Sequence, residues 1–324
     1  MIKRAVIQGI GHAVPEKVLT NSDLEKMVDT SDEWIRQRTG IVERRVTQSH
    51  ETTSTLSTEA SKKALSKAGI EPEELDLIIL GTLTGDMTTP AAGCLVQGAL
   101  GAKNAGTFDV GAACAGFVTS LSVGAAMIES GQSKKILVIG ADTLTKYVDW
   151  TDRSTCILFG DAAAAVVLVA EENTERGVLK TALFSDGTGN KLVHIPSHLD
   201  ACCKGAKSPS KIIMAGSEVY RFAVNAIPEA CSKVLEMTGF KSEDIDLFVP
   251  HQANVRIIDA AASRMNLPAE KVFINAHKYG NTSAGSIPLA LSEAVEEGRL
   301  KPGMLVLTVG FGAGLVWGAN LIRW

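Results

Sequence analysis

Gly69-Ile70-Glu71-Pro72-Glu73-Glu74-Leu75-Asp76-Leu77-Ile78-Ile79 is echoed by Gly239-Phe240-Lys241-Ser242-Glu243-Asp244-Ile245-Asp246-Leu247-Phe248-Val249, at an offset of 239 − 69 = 170 residues. In both copies a glycine closes a helical pattern, an acidic turn follows, and a short apolar run reads as a buried strand. Two further pairs extend the echo. Ile136-Leu137-Val138-Ile139-Gly140 maps onto Val306-Leu307-Thr308-Val309-Gly310 at an offset of 170, and Val110-Gly111-Ala112-Ala113-Cys114-Ala115-Gly116 lines up with Tyr279-Gly280-Asn281-Thr282-Ser283-Ala284-Gly285 at an offset of 169. Each half alternates strands and helices and ends in paired strands, which argues for α/β layers with largely parallel sheets. The expectation is two related halves, 1–171 and 172–324, meeting about a pseudo-twofold core whose equivalent strand-to-helix turns face one central cleft.

The composition suits such a core. The 324 residues are 45% hydrophobic, enough for one large core or two fused ones, and the net charge of −4 argues against general affinity for nucleic acid or membranes. The opening Met1-Ile2-Lys3-Arg4-Ala5-Val6-Ile7 turns polar too soon for a signal peptide, and no apolar run reaches membrane-spanning length. A cytoplasmic location is expected. The six cysteines (94, 114, 156, 202, 203 and 231) form no Cys-x-x-Cys pair, which fits thiols in a reducing compartment. The histidines at 12, 50, 194, 198, 251 and 277 lack zinc-ligand spacing, so no metal is expected. The polar tract Ser197 to Lys211, which holds Cys202 and Cys203, reads as a loop over the cleft mouth or a subunit edge.

The chemistry is concentrated in three segments. Cys114 follows a strand-like run, Gly106 to Val110, and opens a helix with no charge before Glu129. A thiol there meets unpaired N–H groups and the positive end of a helix dipole, which favour the nucleophilic thiolate. Alone, Cys114 reads equally well as a small core residue. Leu247-Phe248-Val249-Pro250-His251-Gln252-Ala253-Asn254 delivers a histidine to the end of a buried strand. Tyr279-Gly280-Asn281-Thr282-Ser283-Ala284-Gly285-Ser286 presents a carboxamide on a glycine-flanked turn. Each has a plain alternative, a strand-capping histidine and an Asn adapted to a tight turn; the three together fit poorly with accident. Cys231 falls on the apolar stripe of a helix starting at Gly216 and reads as core.

The Cys in GAACAGF, the His in VPHQAN, the Asn in YGNTSAGS and the tail Val309-Gly310-Phe311-Gly312-Ala313-Gly314 resemble the β-ketoacyl-[acyl-carrier-protein] synthase III family of the thiolase superfamily. The resemblance runs nearly end to end. It includes Thr30-Ser31-Asp32-Glu33-Trp34-Ile35-Arg36-Gln37-Arg38-Thr39-Gly40-Ile41, Asp152-Arg153 and Phe159-Gly160-Asp161. It implies a thiolase-like, duplicated α-β-α-β-α layered fold with internal pseudo-twofold symmetry. It further implies a decarboxylative condensation of an acyl-CoA primer with malonyl-[acyl-carrier protein], initiating fatty acid biosynthesis without a cofactor, coenzyme A thioester being a substrate. Cys114 would carry the acyl group, the backbone N–H groups of Cys114 and Ala313 would hold the oxyanion, and His251 and Asn281 would stabilise the enolate. A general-base role for His251 ranks second.

The resemblance also places Trp34 and Arg153 on either side of the coenzyme A adenine, and Arg38 and Ser217 near its nucleotide and pantetheine parts. Phe311 belongs to the acyl pocket, and Thr89 would close that pocket from the partner of a homodimer. Arg221, Arg256 and Arg264 form a candidate basic patch for the acidic carrier protein. A threonine at 89 leaves room for primers longer than acetyl. Papain-like hydrolases share the order Cys, His, Asn but carry a local Cys-x-x-Cys-Trp signature that is lacking here. Elongating synthases resemble a Cys-His-His set and thiolases a Cys-His-Cys set, so Asn281 points away from both. Chalcone-synthase-like enzymes share Cys-His-Asn but tend to be longer. A specialised synthase of secondary metabolism with another acceptor and a non-catalytic acyl-binding paralogue are the alternatives.

Overall fold

A computed structural model describes residues 3–196 and 211–324; Ser197 to Ser210, with Cys202 and Cys203, lie outside the described residues. The first sheet is built from β1 (Lys3–Ala13), β2 (Leu77–Gly81), β3 (Gly106–Val110), β4 (Lys135–Thr143) and β5 (Asp161–Glu172), in the order β1-β5-β4-β2-β3. The second uses β6 (Gly177–Ser185), β7 (Leu247–Pro250), β8 (Leu305–Gly312) and β9 (Val316–Arg323), in the order β6-β9-β8-β7. The two orders superpose, strand for strand. The fifth place in the second sheet is reduced to a single parallel bridge between Phe248 and Val272.

Both sheets are mixed, which corrects the expectation of largely parallel ones. β3, β2 and β4 run parallel, as do β7 and β8, but β1 and β5 in the first sheet and β6 and β9 in the second pair antiparallel with their neighbours. The physical reason is connection length. Only three residues link β8 to β9, and so short a link returns the chain antiparallel.

Helices complete five layers. α1 (Asp32–Thr39) lies near the cleft, α2 (Thr53–Ala68) and α3 (Ala92–Leu100) cover the outer face of the first sheet, and α4 (Gly116–Glu129) runs between the sheets. α5 (Gly216–Thr238) and α6 (Val255–Arg264) cover the second sheet, and α7 (Ser286–Glu296) joins α4 in the middle. The middle layer is built from Phe117, Val118 and Leu121 of α4 and from Ile287, Leu291 and Ala294 of α7, all buried against strands of both halves. Full burial of each such aliphatic or aromatic side chain contributes roughly 1.5–3 kcal/mol, so the two halves share a core that neither completes alone. Cys231 is buried in α5, packed on the second sheet.

The matching helix ends explain the repeat. Gly69 and Gly239 terminate α2 and α5 with φ of 65° and 77°, a left-handed conformation that costs glycine no steric penalty. The offset of 170 extends to the turns before α4 and α7, where Ala113 and Ser283 both adopt positive φ (45° and 51°). Contacts at the pseudo-twofold axis agree. A Cβ on Gly140 would meet Ala284 O, and one on Gly310 would meet Cys114 O. The alignment at 169 is therefore corrected to 170: Cys114 is the counterpart of Ala284, and Ser283 that of Ala113. No helix among the described residues is long and apolar enough to cross a membrane.

Candidate active site

The turn Ala113–Ala115 carries Cys114 from the end of β3 to the start of α4. From the other half, His251 directly follows β7 and its N–H donates to Val309 O (2.8 Å), so the imidazole leaves the sheet at the C-terminal edge of a parallel strand. Buried Gln252 locks this corner: its amide donates to Pro250 O (2.8 Å) and Phe273 O (3.1 Å), and its oxygen accepts from Asn275 N (2.9 Å). Asn281 is pinned by backbone bonds to the first half, donating to Leu158 O (2.8 Å) and accepting from Gly160 N (3.0 Å). Cys114, His251, Asn281, Phe311, Gly312 and Ala313 all line one cavity of about 970 Å³.

The polar atoms of the trio are oriented by partners outside the cavity. Asn281 Oδ1 accepts from Ser283 N (2.8 Å), which fixes the flip of the carboxamide and leaves its NH2 to donate. His251 Nδ1 lies 2.6 Å from Ser286 Oγ. Gln252 N–H also points at that hydroxyl (3.4 Å), so Ser286 holds the Nδ1 side of the ring and leaves Nε2 for the cavity. Burial lowers the His251 pKa to about 3, keeping the ring neutral, and Phe311 packs its ring edge-on at 5.1 Å.

The sulfur departs from expectation. Cys114 lies in the turn that leads into α4, half-buried in the cavity wall, where burial pushes its thiol up to about 12; the nearby Asp142 carboxylate acts in the same direction, and a Ser283 hydrogen bond opposes both. Desolvation disfavours the charged form and works against the helix dipole. Ser283 Oγ contacts it at 3.2 Å. Neither Ser283, Ser286 nor Asp142 is identified by the sequence reading, although both serines stand in the quoted Asn281 motif and Asp142 is an acid at the end of a buried strand.

At the cavity mouth, Trp34 stands beneath two guanidinium groups, Arg38 at 5.3 Å and Arg153 at 5.2 Å from the ring centroid. Arg153 also donates to Asp29 O (2.9 Å). The indole is thus already covered by cations, and a purine entering between Trp34 and Arg153 must displace Arg153 from the ring. Ser217 lines the cavity near the start of α5, with its hydroxyl donated to Glu218 (2.6 Å). Arg221 and Arg256 line the mouth and are exposed. Arg264 is also exposed but away from the cavity lining, tied to Val224 O (2.8 Å) and Asn225 Oδ1 (2.6 Å), so it braces α6 against α5. Thr89 is exposed and does not line the cavity of its own chain.

A duplicated five-layer fold with a cysteine, a histidine and an asparagine converging where its halves meet defines a thiolase-like condensing enzyme. Residues 108–187 match the family model 3-oxoacyl-[acyl-carrier-protein (ACP)] synthase III, residues 235–324 match the model of its C-terminal part, and residues 41–145 also match that of stage V sporulation protein AD. The chain is 49% identical over 324 residues to the β-ketoacyl-[acyl-carrier-protein] synthase III of Caldanaerobacter subterraneus, covering 99% of this chain and 98% of that one. The crystal structure of 3-oxoacyl-[acyl-carrier-protein] synthase III from Aquifex aeolicus is similar at TM-score 0.93 and 49% identity, covering 99% of this chain and 100% of that one. The priming β-ketosynthase of a polyketide biosynthetic pathway is similar at TM-score 0.94 and 36% identity, covering 98% of this chain and 96% of that one. The chain belongs to the β-ketoacyl-[acyl-carrier-protein] synthase III family.

Proposed function

We propose that the chain condenses an acyl-CoA primer with malonyl-[acyl-carrier protein], giving β-ketoacyl-[acyl-carrier protein], carbon dioxide and coenzyme A, as the initiating step of fatty acid biosynthesis. The observation that carries this reading is the convergence of Cys114 from one half with His251 and Asn281 from the other on one cavity. Cys114 Sγ loses its proton, attacks the primer thioester and keeps the acyl group as coenzyme A departs. The N–H groups of Cys114 and Ala313 hold the tetrahedral oxyanion. Gly312 supports this role, because it brings the tail so near that a Cβ there would lie 2.7 Å from Cys114 N.

In the second half-reaction the malonyl thioester loses carbon dioxide, and the electrons appear on its carbonyl oxygen and α-carbon. His251 Nε2–H and Asn281 Nδ2–H donate to that oxygen. A neutral, desolvated imidazole with its proton on Nε2 suits donation and makes a poor general base. The carbanion attacks the Cys114 thioester and expels the sulfur. No cofactor enters, since both thioesters are substrates.

The purine of coenzyme A takes the place of a guanidinium at Trp34, with Arg153 closing over it and Arg38 and Ser217 along the rest of the nucleotide and pantetheine. Arg221 and Arg256 at the mouth receive the carrier protein. The chain acts in the cytoplasm as a homodimer on this reading; the dimer is supported by β3, an edge strand with Phe108 38% exposed, and by the exposure of Met87 and Thr89. Pairing β3 with its copy would cover this edge and bring Thr89 toward the neighbouring acyl pocket. The likeness to a polyketide priming synthase favours, as a second reading, a specialised acceptor or a longer primer.

The experiment offers a panel of acyl-CoAs with malonyl-carrier or malonyl-CoA to wild type and Cys114→Ala, and follows β-ketoacyl product. Product from wild type alone supports the proposal. Acylation of Cys114 with no carbon–carbon bond under any pairing makes the chain a transferase or hydrolase instead.

A further inference from the structure

A fully buried cation lies behind the wall of the active-site cavity, and the condensation chemistry above leaves it without a task. Arg44 stands in the short strand Glu43–Arg45, has no exposed surface and does not line the cavity. Its Nη2 donates to Ile157 O (2.8 Å), and its Nη1 donates to Asn21 Oδ1 (2.9 Å) and Leu19 O (3.2 Å). All three acceptors are neutral, and Nε has no partner among the described residues. Burial lowers the pKa to about 10, which still leaves the group charged at neutral pH. A cation in such a place is costly, and an apolar chain of similar volume avoids that cost. What the guanidinium alone supplies is a rigid planar fork whose two ends grip two different segments.

Both segments lead to the site. Ile157 precedes Leu158, whose carbonyl accepts Asn281 N–H (2.8 Å), and Gly160 N–H completes the pair by donating to Asn281 O (3.0 Å). Two glycines let these backbones meet beside the Arg44 stem. A Cβ on Gly160 would clash with Tyr279 O and lie 3.1 Å from Arg44 Cβ, and one on Gly280 would lie 2.6 Å from Leu158 O and 3.4 Å from Arg44 Cβ. On the other side of the fork, Asn21 Nδ2 donates to Asp32 Oδ1 (2.9 Å) and Ile41 O (2.8 Å). Asp32 opens α1, the helix of Trp34 and Arg38. The fork therefore spans from the backbone pair that carries Asn281 to the helix at the cavity mouth.

We propose, resting on the reading of Asn281 as an enolate donor, that Arg44 is a positioning residue for the decarboxylation step: its fork holds the 157–160 segment, and with it the Asn281 carboxamide, in register with the rest of the cavity. The carboxamide has no freedom of its own to make up for a shift of that segment, because its oxygen is bound to Ser283 N (2.8 Å) only two residues along the same turn. Whatever moves the backbone pair moves the donor. Cys114 is different. It rides on the 113–115 turn, which receives none of the Arg44 hydrogen bonds, so acylation of the sulfur does not draw on the fork.

The test separates the two half-reactions and then couples two substitutions. Arg44→Met keeps much of the stem and removes the fork. Asn21→Ala keeps Arg44 and removes its one side-chain acceptor, and it carries the test if Arg44→Met does not fold. Each variant receives acetyl-CoA or butyryl-CoA, whichever acylates wild-type Cys114 faster, and then malonyl-carrier; acyl-enzyme formation and carbon dioxide release are measured per mole of enzyme. Acylation should stay within about twofold of wild type while carbon dioxide release falls about tenfold, part of the way to the loss on the order of 100-fold expected when the donor itself is removed. A purely structural role lowers both together. In an Asn281→Ala background the same substitutions should change carbon dioxide release by less than about twofold, because a residue that acts through Asn281 has nothing left to position. Release within about twofold of wild type, a parallel fall in acylation, or an undiminished loss in the Asn281→Ala background each overturns the inference and leaves the enolate reading standing. Near-wild-type release by Asn281→Ala alone removes that reading, and the inference with it.

Discussion

Replacing Gly312 with alanine perturbs the acylation step through backbone alone. The added Cβ would lie 2.7 Å from Cys114 N and 3.2 Å from the Cβ atoms of Ala113 and Cys114. Carbon contacts settle near 3.5 Å or beyond, so the tail and the nucleophile turn must separate by roughly 0.5–1 Å. Neither side yields easily, because β8 is buried along its length and the 113–115 turn is held against it by Gly310. Overpacking of this kind costs about 1–3 kcal/mol of stability. A misplacement of about 1 Å in a reacting geometry costs on the order of 100-fold in rate, and here the displaced groups are both proposed oxyanion donors. Single-turnover transfer from acyl-CoA to Cys114 should fall by about two orders of magnitude in Gly312→Ala, with a lowered melting temperature. Gly187→Ala, where an added Cβ meets nothing within 4 Å, is the control. Acylation within about twofold of wild type, at an unchanged melting temperature, would refute the close-approach argument.

Asn281→Ala should lose malonyl decarboxylation by on the order of 100-fold while Cys114 still accepts the acyl group, measured as carbon dioxide release against acyl-enzyme formation. His251 has a folded-state pKa near 3 against an ordinary value of 6.5, so the stability it confers is complete above pH 6.5 and lost as pH falls towards 3. Urea midpoints should therefore show an acid loss of up to about 1.4 kcal/mol per pH unit that His251→Gln lacks; parallel curves for the two proteins would remove the effect. Trp34→Ala should raise KM for acyl-CoA about tenfold at nearly constant kcat, measured by steady-state kinetics, because the proposed purine site at the indole holds a part of the substrate far from the reacting carbon.

The duplication was legible because it is written in local chemistry. Gly69 and Gly239 stop helices for the same reason, and the acidic turns and apolar strands after them follow in the same order. Cys114, His251 and Asn281 were legible for a related reason: each stands at a strand end or tight turn, where a change of period in the sequence marks the place. The alignment of the two turns was off by one residue because the glycines in GAACAG and GNTSAG match by identity, whereas the fold matches them by backbone, through the positive φ shared by Ala113 and Ser283.

Properties that depend on what one half presses against in the other could not be read in this way. The helix dipole at Cys114 is local and visible, but the packing that works against it, by β8 and by Ser283, belongs to the opposite half. Arg44 shows the same limit. Its sequence position suggests a solvated charge, yet it is fully buried, donating to Asn21 Oδ1 (2.9 Å), Leu19 O (3.2 Å) and Ile157 O (2.8 Å) behind the strand bridge that carries Asn281. The pseudo-twofold axis therefore does more than bring three side chains together. By closing each half over the other's turn, it buries the imidazole and half-buries the sulfur, and so works against a charge on either. The same interdigitation sets the Ser283 hydroxyl of the second half 3.2 Å from the Cys114 sulfur of the first, as a donor to it.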